Sequence, residues 1–251
     1  NSKDFPDEDG SEGPREAVLR PLIHAVTHEN TPGAAPFVSI DRLQGRYAGG
    51  RWVFASFKGS LSARGLRVLI DHALQDAFSF VIRSGYARYR PGENIEFSAV
   101  FASPKGVAAQ PRPGECSIIV TDQEGTAVGS SAFAMSGKKG SLSGKGKLRL
   151  RQAGALASGL YRVKASITFR PGSHSFVKEA SNETGFAVVD DSALAGGTPI
   201  TQDGCYFLRG VEPYPVTGTT YMGSDAHRKF LLEPNPLVWD RDFAAMKDAG
   251  V

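Results

Sequence analysis

Few residues in this sequence have the type and spacing that chemistry needs. His24 and His28 stand four apart in HAVTHENTPG. On a helix that spacing puts two imidazoles on one face, where they can hold a metal ion. The Pro-Gly that follows argues for a turn instead, and no third ligand is evident. Cys116 and Cys205 have neither CxxC spacing nor a nearby histidine, which argues against a zinc site. They pair only if the fold brings them close, and otherwise read as two buried thiols. Glu93, Glu96, Glu115 and Glu124 fall in segments that read as strands and turns, so they are expected to be solvated rather than catalytic. Trp52, Tyr86 and Tyr89 offer flat faces for sugar contact. Trp52 lies inside the apolar run RWVFASFK, so core packing is its expected role.

The elements that would position such residues follow from composition and pattern. The 251 residues suffice for two domains, and 41% of them are hydrophobic, enough to build real cores. The 29 basic and 26 acidic residues are mixed along the chain, unlike the basic stripe of a nucleic-acid binder. The densest basic stretch, Lys138, Lys139, Lys145, Lys147, Arg149 and Arg151, sits among Gly and Ser and reads as a solvated loop leading into a strand. Contact with an anionic polymer is the alternative. No apolar run approaches the roughly 20 residues that span a bilayer. No nucleic-acid partner and no membrane span are expected.

Residues 1–18 are acidic and poor in apolar side chains, and are expected to be disordered or loosely draped. Residues 19–85 read as a first β-sandwich-like module, with strands at Arg51–Lys58, Leu66–His72 and Ala77–Ile82. Residues 86–190 read as an immunoglobulin-like β-sandwich. Pro91-Gly92 makes a turn, and Ile95, Phe97 and Ala99 alternate with polar residues. Strands follow at 116–121, 126–135, 159–169 and 184–189. Residues 191–203, rich in Ala, Gly and Thr, read as a linker. In 204–251 the texture changes. A short strand, a Gly210-Val211-Glu212-Pro213 turn and an extended run at 214–222 precede a helix at Leu237–Ala249. Asn235-Pro236 suits its start and Gly250 its end. Trp239, Phe243 and Met246 share one face of it.

The stretch CYFLRGVEPYPVTGTTYMGSDAHRKFLLEPNPLVWDRDFAAMKDAGV resembles the opening of the catalytic (β/α)8 barrel in glycoside hydrolases of the large retaining clan, which includes cellulase-like and β-galactosidase-like enzymes. FLRG followed by YPV resembles the lid at the barrel bottom. GTTYM is similar to the end of the first barrel strand, and WDRDFAAMKDAGV to the first barrel helix and the turn beyond it. The resemblance covers about the last fifth of the chain. It implies a mainly β architecture of tandem β-sandwich modules, followed by the first β/α unit of a TIM barrel. A lone β/α unit cannot bury both its faces, so further barrel is expected, in the same or a companion chain.

In the clan, two glutamates do the chemistry, and the resemblance places them after the fourth and seventh barrel strands. Both are therefore expected beyond residue 251, and no residue here is expected to be catalytic. Barrel enzymes place their sites in the loops after the strands. The first such loop runs from Tyr221 to Pro236. There Tyr221 could stack on a sugar, and Asp225, His227 and Arg228 could bond its hydroxyls. Packing or local hydrogen bonding would serve each equally well. Ser224 has no marked base. No cofactor and no metal are expected. The implied substrate is a carbohydrate, and the implied location is secreted or periplasmic. Carbohydrate-binding modules without catalysis, or structural spacers, are the competing readings.

Overall fold

Period-two alternation accounts for most of what forms. The computed structural model describes residues 3–5, 17–26, 28, 34–43, 45–56, 58–75, 77–103, 115–137, 140–152, 154–168, 179–216, 218–221 and 235–250. The protein is mainly β, with several sheets. The first sheet is antiparallel and four-stranded, in the order β1 (Lys3–Phe5), β2 (Ala17–Ile23), β3 (Phe37–Arg42), β4 (Arg51–Ala55). Strand β1 pairs with Ala17–Leu19, so the N-terminal segment expected to be loosely draped contributes an edge.

Helix α1 (Ala63–Ala73) packs against β4. It replaces the strand expected at Leu66–His72. Leu66 and Ile70 fit a period of two, but they are also i and i+4, and Leu69 and Ala73 complete a helical stripe. The Ser62 hydroxyl settles the choice by capping the helix, accepting from Gly65 N at 3.1 Å. Among the described residues the front unit is thus one sheet with a helix on it, rather than a sandwich.

Strand β5 (Ser79–Ser84), expected with the front module, pairs instead with β7 (Glu96–Ala102). Strand β10 (Ser141–Lys147) lies on the other side of β7, so Lys145 and Lys147 stand in a strand rather than a loop. Facing this three-stranded sheet is a six-stranded one. Its strands are β6 (Arg88–Tyr89), β8 (Glu115–Thr121), β9 (Ala127–Ala134), β11 (Arg149–Leu150), β12 (Gly159–Thr168) and β13 (Glu179–Val188). Their order is β11-β9-β8-β12-β13-β6, with β6 parallel to β13.

One core lies between the two sheets. Phe97, Ala99 and Phe101 of β7 meet Cys116, Ile118 and Val120 of β8 and Tyr161, Val163, Ala165 and Ile167 of β12. Gly144 of β10 lets the sheets close at one edge. A Cβ there would sit 2.7 Å from the Ala134 carbonyl oxygen and 2.9 Å from the Met135 sulfur. Tyr161 donates its hydroxyl to the Ala157 carbonyl at 2.8 Å, the tyrosine corner of Greek-key sandwiches. Both cysteines are free, Cys116 buried and Cys205 exposed. Burial pushes the Cys116 thiol up to about 11, so it stays protonated at neutral pH.

The stretch expected as a linker holds helix α2 (Asp191–Ala195) and strand β14 (Ile200–Asp203). Asp190 caps α2 by accepting from Ser192 N at 3.0 Å. Asp191 meets Arg88 at 2.6 Å and Arg90 at 2.8 Å, so this stretch is tied to the sandwich edge. Strand β14 opens a meander with β15 (Tyr206–Arg209) and β16 (Glu212–Pro213), turned at Gly204 and Gly210, both with positive φ. Helix α3 (Pro236–Asp248) follows. Residues 214–216 and 218–221 join no sheet, so the expected first barrel strand has no ladder among the described residues. A strand exists only by pairing, and among the described residues the ladder ends at Glu212–Pro213, with one bond from Tyr214 N to Phe207 O just beyond it.

Candidate functional site

Helix α3 is the element that positions Tyr221. The Asn235 side chain accepts from Leu237 N at 3.2 Å, Pro236 fills the first turn, and Gly250 closes the end at φ 84°. The first turn seats the helix: Pro236 and Val238 are buried, and Leu237 lies over Gly185 of β13. A Cβ on Gly185 would sit 2.5 Å from Leu237 Cγ and 2.9 Å from the Tyr161 carbonyl oxygen. Of the face expected to be apolar, Trp239 and Met246 are half-buried and Phe243 is 50% exposed. Gly185→Val should therefore lift α3 from the sandwich while leaving the core in place. Limited proteolysis would show it as faster cleavage in 235–250, with 115–168 still resistant. Unchanged cleavage would disprove the seating.

Tyr221 lies against that helix. Its ring stands 4.8 Å from Phe243, and its hydroxyl donates to Asp242 Oδ2 at 2.9 Å. The other Asp242 oxygen accepts from Arg241 Nη2 at 3.2 Å. Tyr221 is thus engaged in a Tyr–Asp–Arg contact that braces the chain before the loop. Asp225, His227, Arg228 and Ser224 lie outside the described residues, and Tyr221 is the member of that set that is described. His24 is exposed and follows the end of β2, not on a helix. Among the described residues no three His, Cys, Asp or Glu side chains group as metal ligands.

A second feature was missed in the sequence. Trp52 and Phe54 of β4 are 43% and 45% exposed, and Tyr47 joins them with ring centroids 5.8 Å from Trp52. In register with them are Ile40 and Val38, then Leu19 and Pro21, so the middle of this face is apolar. Trp52 was expected in the core. The strand is inverted because Arg51 takes the inward side, where fully buried Asp41 meets it at 2.5 Å. RWVFASFK was legible as an apolar strand, but a charged residue on its inward side was not. Of the two tyrosines, Tyr89 is buried against Phe186, and Tyr86 is 70% exposed.

No protein-family model matches the sequence, and no curated protein matches it significantly. Two solved structures share weak similarity. A β-glucuronidase of Bifidobacterium dentium, complexed with coumarin-3-O-glucuronide, aligns at TM-score 0.27 and 15% identity, over 54% of this chain and 20% of that one. The major pilin subunit of Bacillus cereus aligns at TM-score 0.26 and 11% identity, over 79% of this chain and 65% of that one. The chain thus spans less than two thirds of either neighbour. At these scores neither similarity assigns a fold or a function. Among the described residues no helix is long and apolar enough to cross a membrane.

Proposed function

We propose that this chain is the β-rich, non-catalytic part of a glycoside hydrolase of the retaining (β/α)8-barrel clan, with an immunoglobulin-type sandwich. The observation that carries the reading is the setting of WDRDFAAMKDAGV. This barrel-like phrase lies on α3, a capped helix stopped by Gly250 and seated on β12 and β13. A first barrel helix that follows sandwich modules along the chain is what the sequence resemblance implies. The order β10-β7-β5 against β9-β8-β12-β13, with β6 parallel to β13, supports the immunoglobulin-type reading, as does the Tyr161 corner.

Retaining hydrolysis needs two carboxyls about 5 Å apart. The resemblance assigns them to barrel strands C-terminal to Val251, so this chain buttresses the site rather than doing its chemistry. Its partners are then the remaining barrel and a carbohydrate substrate, in a secreted or periplasmic setting.

The exposed Tyr47, Trp52 and Phe54 cluster favours a second reading, a carbohydrate-binding module without catalysis. One experiment separates the two. Residues 1–251 are assayed for turnover of chromogenic glycosides and for polysaccharide binding by calorimetry, and the native polypeptide is weighed intact. The hydrolase reading expects no turnover by 1–251 and a native mass well above 26.8 kDa. Turnover by 1–251, or a native mass of 26.8 kDa, overturns it. Tight binding that Trp52→Ala abolishes, in a native chain of that mass, supports the second.

A further inference from the structure

The joint between the front sheet and the sandwich holds Asp41 and Arg51, the buried charged residues among those described. Phe78, just before β5, stacks on Phe101 of the sandwich core at 5.6 Å. On the front-unit side, the Arg20 and Arg51 guanidinium carbons lie 5.0 and 5.7 Å from the Phe78 ring centroid. Arg20 also donates to the Phe78 carbonyl at 3.0 Å. Both arginines share one carboxylate: Asp41 takes Arg51 at 2.5 and 2.8 Å and Arg20 at 3.5 Å. Arg51 then reaches α1, donating to Gln75 Oε1 at 3.2 Å and to the His72 carbonyl at 3.5 Å.

His72 stands beside this cluster. Its Nε2 is buried and has no hydrogen-bond partner among the described residues. Burial and then Arg51 hold its imidazole below the ordinary histidine value, Arg20 adds to this, and Asp41 opposes them. On its own helix, Arg67 and Asp71 are exposed and pair with each other at 3.9 Å. The adjoining segment 77–78 brings no charge. Little else holds the helix. None of its residues is buried, and Leu66 and Ile70 are about half exposed.

We propose that this joint is a proton-operated latch, in which protonation of His72 sets a third cation beside Arg20 and Arg51, which share the Asp41 carboxylate, and releases α1 from β4. The new N–H would be a buried donor with no acceptor, which adds to the repulsion. The sign follows from linkage. A histidine held below its free value makes the docked helix prefer the neutral imidazole. The contribution is complete above the unfolded value of about 6.5 and declines as the pH falls through it. Among the described residues, the core of the sandwich has no histidine, and the groups that shift in it do so away from this range. Its tyrosines and Cys116 are held above their ordinary values by burial.

Hydrogen exchange on residues 1–251 at pH 7.5 and 5.5, corrected for intrinsic rates, tests the latch. Protection of 63–73 should fall up to about tenfold at pH 5.5, the linkage limit one unit below the free value. Protection of β12 should hold. In His72→Gln, which cannot be protonated, 63–73 should be equally protected at both pH values. Unchanged protection in the wild type, equal loss in β12, or loss that survives in His72→Gln overturns the proposal. If His72→Gln fails to fold, the NMR titration of the wild-type His72 ring decides. A midpoint below that of a free histidine upholds the latch, and one at or above it overturns it.

Discussion

Asp41→Ala should destabilise the front sheet by about 3–5 kcal/mol, the usual cost of leaving a buried charge without its partner. The Arg51 side chain is 1% exposed and the Asp41 side chain 0%. Without the carboxylate, Arg51 keeps Gln75, a long contact to the His72 carbonyl and the face of the Phe78 ring, none of which carries a counter-charge. Arg20 is less affected, since its side chain is 28% exposed and water can reach it. The effect should be read as the transition reported by fluorescence of Trp52, which neighbours Arg51 on β4. The double variant Asp41→Ala, Arg51→Met should recover most of the loss, because an apolar side chain of similar length needs no counter-ion. A loss below about 1 kcal/mol in the single variant, as expected of an exposed pair, would show that this pair is not buried.

Phe186→Ala should cost the sandwich about 3–5 kcal/mol, because its ring fills the centre of the core and a cavity would replace it. Phe186 is fully buried on β13. It stacks on Tyr161 at 5.3 Å and 16°, meets Tyr89 edge-on at 5.5 Å, and lies 6.4 Å from Phe97 of the opposite sheet. Those rings come from β12, β6 and β7, so one side chain joins both sheets and the parallel edge. Denaturant unfolding followed by far-UV dichroism measures the loss. A cost under about 1.5 kcal/mol, the range of a volume-conserving swap, would mean that the core closes around the gap or that the ring is not central.

The sequence was readable wherever one physical rule acted alone. In β12 the alternation of Tyr161, Val163, Ala165 and Ile167 admits one reading, and the core confirms it. Helix α3 announced itself by Asn235-Pro236 at one end and Gly250 at the other. Reading failed where two rules overlapped. Leu66 and Ile70 satisfy both the strand and the helix period, and the cap at Ser62 decided between them. It failed again where a long-range partner reversed a local rule. Arg51 looks like a surface residue until Asp41, ten positions earlier, takes it inward and turns Trp52 outward. The site was legible only in outline. Tyr221 was singled out as a residue that could stack on a sugar, whereas its ring lies against Phe243 and its hydroxyl is committed to Asp242. Nothing local in GTTYM signals that contact, because the aspartate lies 21 positions further along the chain.

The parallel edge formed by β6 and β13 also dictates an order of events during synthesis. Arg88 and Tyr89 leave the ribosome early, yet the strand they pair with comes last among those of the sandwich. Until Ala187 and Val188 emerge, Tyr89 has no edge to join, and Phe186 is not there to cover its ring. Closing so long a loop is slow, and the waiting strands expose both apolar faces and open edges. The nascent sandwich therefore cannot complete itself piece by piece. It closes only when its final strand arrives, and that interval is when a chaperone would matter most.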